Sequence, residues 1–272
     1  MEFTFGTYNL EHGGIDGGGR DARLVAQLEM LAAVNADVWA FQECNGWADD
    51  GHGCLHFAEN VLGMRGFLAR SNHHGCDLAV FIRESSGIKV NAERHEEGPP
   101  YWHAVARVEV IIDDLLYSMV SAHLAPSSPA LRLIEAETFA LIAREGTVIA
   151  GGDWNAVPAA DPEPDTSRTS PGKARRKLDR SAALAIEEAG FTDAAACLSE
   201  LIPTVGHASD LYYRCDRIYT TLPAAAITGY QVIAEDRPAS DHRPVLARFN
   251  LASAVPGGTG LARPPQNAAE TR

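Results

Sequence analysis

The sequence predicts a single domain of the α/β class, of the mixed α+β kind, with more strands than helices. At 272 residues, 46% of them hydrophobic and 22% charged, the chain is long enough to bury a full core in one unit. Short apolar runs with strand-like alternation also follow one another between amphipathic helical segments. Finally, short polar motifs stand at the ends of these apolar runs, where several strands converge on one cleft.

Strands are predicted where apolar side chains alternate, and helices where they recur every three or four residues. In the first half, the predicted elements are a strand from residue 3 to Asn9, a helix over 21–33, a strand over 37–43, a helix near 55–62 and strands over 67–70, 78–83 and 88–94. In the second half, they are a hairpin of strands over 103–112 and 115–124, a helix over 128–144, a strand over 147–150, a long loop over 158–171, a helix over 174–189 and strands over 216–220, 227–233 and 245–251.

The predicted folded domain covers residues 1–251. The tail over 252–272 is rich in Gly and Pro and is predicted to be disordered. No run is long and apolar enough to span a bilayer, and the first strand leaves no room for a signal peptide. The five cysteines are odd in number and form no C-x-x-C motif, which favours reduced thiols and a cytoplasmic location. We expect a monomer with no membrane partner and no obligate protein partner.

The net charge of -13 argues against a protein that holds nucleic acid by general electrostatic attraction, because Lys and Arg supply most of that affinity. The acidic total does not exclude a phosphate site bridged by a metal ion, because a bound cation dominates its local field.

Polar motifs at the ends of apolar runs indicate metal-dependent phosphoryl chemistry. The motifs are Thr7-Tyr8-Asn9-Leu10, Phe41-Gln42-Glu43, Ser121-Ala122-His123-Leu124, Gly151-Gly152-Asp153-Trp154-Asn155, Cys215-Asp216-Arg217-Ile218-Tyr219 and Ser240-Asp241-His242. Together and in this order, they resemble the motifs of the endonuclease/exonuclease/phosphatase superfamily. The resemblance runs from about residue 3 to about residue 250. It implies a four-layer α/β/β/α sandwich, with two packed mixed β-sheets flanked by helices and the site at one end.

A hard divalent cation prefers oxygen ligands and, when it is Mg²⁺, keeps several waters, so one carboxylate with one further ligand suffices. Glu43 is the leading metal ligand, although a strand-end acid can also pair with a nearby Arg. The resemblance places Asn9 and Asp241 beside the same cation, Mg²⁺ or Mn²⁺.

The hydrolysis of a phosphate ester also needs an activated water and groups that stabilise the phosphoryl charge. By resemblance, His242 is the base or the phosphate-stabilising cation, and Asp216 orients it. Asp153 is expected to position or deprotonate the water. Asn155 is expected to hydrogen-bond a phosphoryl oxygen or the nucleophile, and His123 to contact the phosphate.

Two positions beside these motifs remain open. Some members of the superfamily partner the middle histidine with a Glu from an earlier strand, and here Asp77 is the nearest candidate. Arg217 follows Asp216 as in deoxyribonuclease-like members, but an Arg in a strand is as often a structural ion-pair partner, so it stays outside the catalytic set.

Lys173, Arg175 and Arg176, with Lys177 and Arg180, form a dense basic run after the long loop. The run either grips extra substrate phosphates or is a solvated helix face that opposes the helix dipole. Trp47, Trp102 and Trp154 either stack on a base or sugar or belong to the core. The histidines of the loops, His52, His56, His73 and His74, are interpreted as solvated surface residues.

The predicted function is Mg²⁺- or Mn²⁺-dependent hydrolysis of a phosphate ester by in-line attack of an activated water. A phosphodiester such as DNA, RNA or a nucleotide is favoured, which makes nucleic acid or a nucleotide the expected partner. The alternative is a phosphomonoesterase that acts on a specialised metabolite or nucleotide. A binding module without turnover is a third possibility, and the joint presence of the acidic, amide and histidine motifs argues against it.

Overall fold

A computed structural model describes residues 1–16, 22–84, 87–208, 211–234 and 239–254. Within these ranges, the strands form two sheets. The first sheet has the order β11-β12-β1-β2-β4-β3. Its strands are β1 (Glu2–Asn9), β2 (Val38–Gln42), β3 (Arg65–Ala69), β4 (Leu78–Ile82), β11 (Ile227–Val232) and β12 (Val245–Asn250). The strands β1 and β2 are parallel, and the other pairs in this sheet are antiparallel.

The second sheet has the order β5-β6-β7-β8-β10-β9. Its strands are β5 (Lys89–Glu93), β6 (Val105–Ile112), β7 (Leu115–His123), β8 (Thr147–Asp153), β9 (Thr192–Asp193) and β10 (Asp216–Thr220). Only β7 and β8 are parallel among the described pairs of this sheet. Both sheets are therefore mixed, as predicted.

The described α-helices are α1 (Ala22–Val34), α2 (Asp49–Leu62), α3 (Pro129–Ala140), α4 (Pro171–Lys177), α5 (Ser181–Glu188) and α6 (Ala194–Leu198). Of these, α1 and α2 cover the outer face of the first sheet, and α3 and α5 cover that of the second. In α1, Leu24, Leu28 and Leu31 recur at helical spacing and pack with α2 against the first sheet. The helices α3 and α5 pack through Phe139 and Ile186 on the second sheet. A separate apolar cluster fills the space between the sheets, so the predicted four-layer α/β/β/α sandwich is confirmed.

The two sheets approach closely near the site end of the sandwich. Gln42 Nε2 donates to Ser121 Oγ at 2.8 Å, and Ser121 Oγ donates to the Phe41 carbonyl at 2.8 Å. Gly151 of β8 faces Thr7 of β1 across this gap, and a Cβ on Gly151 would lie 2.5 Å from the Thr7 Cβ. Because both sheets carry site residues just beyond these positions, the spacing between the sheets fixes the geometry of the site.

We expect Gly151→Ala to lower the free energy of unfolding by roughly 1–3 kcal/mol, because a methyl group there forces the sheets apart. Denaturant unfolding measures this change. Gly98→Ala is the matched control, because a Cβ on Gly98 meets nothing within 4 Å. Equal stability of the two variants would contradict this account of the gap between the sheets.

The prediction of one continuous helix over 174–189 is wrong. Two shorter helices, α4 and α5, replace it, with a break over 178–180. Ser170 caps α4 by accepting the Lys173 N–H, so the helix begins earlier than predicted. Arg180 donates to the carbonyls of Pro158, Ala159 and Asp161, which anchors the preceding loop at the break. The local sequence favours one continuous helix, but this tertiary contact interrupts it at Arg180.

At the carboxyl end, a turn of 3-10 helix at Leu251–Ala254 continues past the predicted domain boundary at residue 251. The Leu251 N–H donates to the Met1 carbonyl at 2.9 Å. The remainder of the predicted tail, residues 255–272, lies outside the described residues.

All five cysteines are free thiols. In the described part of the chain, no helix has the length and apolar character that crossing a membrane requires.

Candidate active site

The predicted site residues meet at one end of the sandwich. The parallel strands β7 and β8 end there at His123 and Asp153, which are register neighbours. The antiparallel strand β10 begins there, so Asp216 pairs in register with Asp153. Asn9 ends β1 in the first sheet. Asp216 therefore reaches the site from the amino end of its strand, whereas the other three residues reach it from carboxyl ends.

Asp153 is the residue on which the site converges. Its carboxylate is buried and has polar neighbours from both sheets and from three loops. These are the Cys215 Sγ at 2.9 Å, the Asn155 N–H at 2.9 Å, the Asn9 Nδ2 at 3.2 Å, the His123 Nε2 at 3.4 Å and the His242 Nε2 at 3.7 Å.

These neighbours hold Asp153 ionised. Burial alone would raise the pKa of this carboxyl, but His242, His123 and Lys177 lower it well below its usual range. Burial also raises the pKa of the Cys215 thiol, so this group stays protonated and donates to Asp153. The site therefore keeps a charged proton acceptor where the two sheets meet.

His242 is held by Asp216. The Asp216 carboxylate, which is fully buried, accepts from His242 Nδ1 at 2.8 and 3.0 Å. Ser240 positions the loop by donating to the Asn9 carbonyl and accepting the His242 N–H. Burial disfavours the imidazolium, but Asp216 and Asp153 outweigh it and raise the pKa of His242 to about 10. In the metal-free protein, His242 is accordingly a cation at neutral pH, with Nε2 directed toward Asp153.

The raised pKa of His242 gives a pH dependence of stability. The ordinary value is 6.5 and the folded value about 10, so the stabilising contribution is complete below pH 6.5 and is lost as the pH rises toward 10. We expect the unfolding midpoint of the wild type, in chelator, to fall more between pH 6.5 and 9.5 than that of His242→Gln. A parallel decline of both proteins would contradict the assignment.

Glu43 follows directly after β2, with a positive φ of 55°. This left-handed conformation is uncommon for a residue with a side chain and often marks a functional position. The Glu43 carboxylate accepts from Asn9 Nδ2 at 3.1 Å and from the His12 N–H at 3.1 Å. Burial raises the pKa of this carboxyl, but His123 and these hydrogen bonds lower it overall. Glu43 is thus ionised beside Asn9 and does not pair with an Arg in the described structure.

The carboxylates beside Asn9 fit a hard divalent cation. Asn9 Nδ2 donates to the carboxylates of Glu43 and Asp153, which come from different sheets, and Asn9 Oδ1 accepts the Glu11 N–H. Oxygen ligands and a local negative charge are what Mg²⁺ or Mn²⁺ requires, and water completes the coordination. Asp241 lies at the rim, where its half-exposed carboxylate is 3.8 Å from His242 Nε2. No group of three His, Cys or acidic side chains is gathered as a metal cage in the described ranges.

Asn155 and Lys177 form a second arm of the site. Asn155, like Glu43, has a φ of 55°, and its Nδ2 donates to the Leu124 carbonyl at 2.9 Å. Lys177 Nζ donates to Asn155 Oδ1. Sequence reasoning placed Lys177 in the basic run but not in the site. No local signal distinguishes it from Arg176, because its position depends on the break between α4 and α5.

The other members of the basic run have different surroundings. Lys173, Arg175 and Arg176 lie on α4 with partly or fully exposed side chains, and their role in substrate binding stays a prediction. Arg175, Arg176 and Lys177 occupy the last turn of α4, where positive charge interacts favourably with the helix dipole, contrary to the sequence-based expectation. Arg217 is buried and donates to the Ala156 carbonyl at 2.6 Å, which is a structural role.

His123 is supported by His103, which the sequence analysis missed. The two rings are stacked, with centroids 4.2 Å apart. Burial, together with His123, lowers the pKa of His103 to about 2, so His103 is neutral. The suggestion that Asp77 partners His123 is not supported. Asp77 instead accepts the Ser71 N–H at 2.8 Å and pairs with Arg70 at 3.2 Å.

The Endonuclease/Exonuclease/phosphatase family model matches residues 6–242, which include every motif that forms this site. The chain belongs to this family. Enzymes of the endonuclease/exonuclease/phosphatase family hydrolyse phosphate esters and are generally dependent on a divalent metal.

Solved structures of the family share the fold at low sequence identity. TDP2 of D. rerio, complexed with single strand DNA product, is 16% identical with a TM-score of 0.66, over 92% of this chain and 99% of that one. A family member from Bacteroides thetaiotaomicron is 15% identical with a TM-score of 0.67, over 95% and 99%. The mannosyl-6-phosphatase of B. thetaiotaomicron VPI-5482 is 14% identical with a TM-score of 0.62, over 90% and 98%. Among curated protein sequences, none matches this chain.

Proposed function

We propose that the protein hydrolyses a phosphodiester in a reaction that depends on Mg²⁺ or Mn²⁺. The observation that carries this proposal is the convergence of Asn9, His123 and His242 on the ionised carboxylate of Asp153. An ionised carboxylate among groups that bind phosphoryl oxygens is what the in-line attack of water on phosphorus requires.

Each residue has a role in this proposal. Asp153 orients the attacking water and accepts its proton. His242, whose Nδ1 is held by Asp216 and whose Nε2 is directed toward Asp153, neutralises the charge that develops on the phosphoryl oxygens. Asn155 and His123 donate to the same oxygens.

The metal site is assigned to Glu43 and Asn9, with Asp241 at the rim acting through water. When bound, the cation polarises a phosphoryl oxygen and stabilises the leaving oxygen. Glu43 is suited to hold it because the left-handed backbone turns its carboxylate toward Asn9, and because hydrogen bonds keep the carboxylate ionised.

Two observations bear on the substrate. TDP2 of D. rerio was crystallised with a single strand DNA product, which supports a diester or a nucleotide. Conversely, the mannosyl-6-phosphatase neighbour and the nearby Lys177 and His242 favour a phosphomonoester, whose extra negative charge needs cationic neighbours. We retain the phosphomonoesterase as the second candidate.

Hydrolysis of a substrate panel separates the two candidates. The panel contains plasmid DNA, single-stranded RNA, bis-p-nitrophenyl phosphate, p-nitrophenyl phosphate and nucleotides, each with Mg²⁺, with Mn²⁺ and with chelator. The proposal expects metal-dependent cleavage of diesters. Cleavage confined to monoesters supports the second candidate. Silence on the whole panel contradicts the diester proposal and points to a specialised metabolite or to a binding module without turnover. For a polymer that engages several phosphates, the rate should also fall steeply with salt.

A further inference from the structure

A small cavity adjoins the proposed catalytic residues but takes no part in the chemistry assigned to them. Its volume is about 130 Å³, and it is lined by His74, Trp102, Ala125, Pro126, Ser127, Ser128 and Leu131. Two residues of its wall are close in sequence to residues of the site. Ala125 lies two residues beyond His123, and Trp102 precedes His103, whose ring stacks on His123. Two residues span at most about 7 Å, so a substrate bound at His123 can reach the cavity.

The walls of the cavity are rigidly connected. Glu135, a buried residue of α3, accepts the Trp102 N–H at 2.6 Å with one carboxylate oxygen and the Ala125 N–H at 2.7 Å with the other. Arg132 of the same helix donates to the Ala125 carbonyl at 2.9 Å. Two buried side chains of α3 thus fix the segment before His103 and the segment after His123 through hydrogen bonds to the backbone. Such a preformed pocket binds a ligand without an ordering cost.

The character of the lining indicates what the cavity accepts. Trp102 is half-buried, whereas Trp39, Trp47 and Trp154 are fully buried. The Trp102 ring packs against His73 at a centroid distance of 3.8 Å, and His73 remains exposed, as the sequence analysis predicted. Among the described lining residues there is no Lys, Arg, Asp or Glu, which disfavours a second phosphate. An apolar cavity of about 150 Å³ holds a benzene molecule, so one ring is the right size here.

We propose that this cavity, formed by Trp102, Leu131 and the turn Ala125–Ser128, is a subsite for an uncharged planar ring carried by the phosphate substrate. The inference rests on the proposed function and restricts the substrate to phosphate esters of a nucleoside or an aryl alcohol. The ring packs against Trp102 and Leu131 while its phosphate lies at His123.

A pair of diesters tests the subsite by kinetics. Thymidine 5′-methyl phosphate and dimethyl phosphate both have alkoxide leaving groups and differ in the ring. The wild type is expected to prefer the thymidine ester in kcat/KM. In Trp102→Ala, this preference should fall roughly tenfold, as expected for the loss of one stacking contact, while dimethyl phosphate hydrolysis stays within about twofold. The control is Tyr212→Ala, which removes an exposed aromatic side chain that does not line the cavity.

A phosphate-free measurement keeps the subsite testable apart from turnover. Trp102 is half-buried and the other three tryptophans are fully buried, so a ligand-dependent change in fluorescence reports on the cavity. Thymidine, and separately benzyl alcohol, should quench the wild type saturably, and Leu131→Glu should abolish the quenching. Quenching by thymidine alone assigns the ring to a nucleobase, and quenching by both assigns it to planar rings in general.

Failure of the subsite and failure of the proposed function have different signatures. Two results overturn the subsite and leave the proposed function standing. The first is diester hydrolysis without a preference for the substrate that carries the ring. The second is an equal decrease of kcat/KM for both substrates in Trp102→Ala. Saturable quenching without any hydrolysis supports the subsite and overturns the proposed function. Absence of quenching in the wild type overturns the subsite whatever the hydrolysis result.

Discussion

Asp153→Asn is expected to lower kcat by about 10²–10⁴-fold, because an amide cannot accept the proton of the attacking water. The substitution also removes the negative charge that His242 and His123 face. The affinity for substrate should change much less than kcat, because Asp153 is assigned to the water and not to the phosphate. Steady-state kinetics with a diester and saturating Mg²⁺ measure both quantities.

The control for this prediction is Asp193→Asn. Asp193 is another buried carboxylate of the second sheet, but it accepts a hydrogen bond from Arg214 Nη2 at 2.8 Å and caps α6. We expect it to lower the free energy of unfolding while leaving kcat within severalfold of the wild type. A near-normal kcat in Asp153→Asn, with the fold intact by circular dichroism, would refute the role of Asp153.

Glu43→Gln is expected to weaken metal binding and to lower activity about a hundredfold at physiological Mg²⁺. The amide keeps the size of the side chain but loses the charge that a hard cation requires. Calorimetric titration of Mn²⁺ into the substrate-free protein measures binding independently of turnover. Activity should recover in part at high metal concentration, because the lost affinity is then offset by mass action.

Glu109→Gln is the matched control for Glu43. Glu109 is a strand carboxylate that pairs with Arg107 in β6, four residues from the site end of that strand at Val105. Its variant should bind Mn²⁺ as the wild type does. If Glu43→Gln also bound Mn²⁺ with unchanged affinity, the metal would have to be held elsewhere.

The sequence anticipated much of the fold and site because both depend on local patterns. Apolar alternation marks the strands, and a polar residue at a strand end stays beside its neighbours once the strands pair. For this reason, Asn9, Glu43, His123 and Asp153 could be predicted together from their motifs. Parallel pairing of β1 with β2 brings Asn9 beside Glu43, and parallel pairing of β7 with β8 brings His123 beside Asp153. The contact of Asn9 with Asp153 depends in addition on the packing of the two sheets.

The features that escaped prediction depend on contacts between distant segments. His103 carries no motif, and only the pairing of β6 with β7 brings its ring against His123. Lys177 reaches Asn155 because Arg180 anchors the long loop and interrupts the helix. The sequence suggested His123 as the partner of Asp77, whereas Asp77 pairs with Arg70 in the structure. The bend that brings Asp77 to Arg70 has no distinctive sequence signal.

Diester hydrolysis in H₂¹⁸O is the most direct test of the central claim that a water oriented by Asp153 attacks phosphorus. With Mg²⁺, the account predicts one ¹⁸O in the phosphate-containing product, none in the released alcohol, and no reaction with chelator or in Asp153→Asn. An ¹⁸O label in the alcohol, or hydrolysis that persists in chelator and in Asp153→Asn, would contradict it.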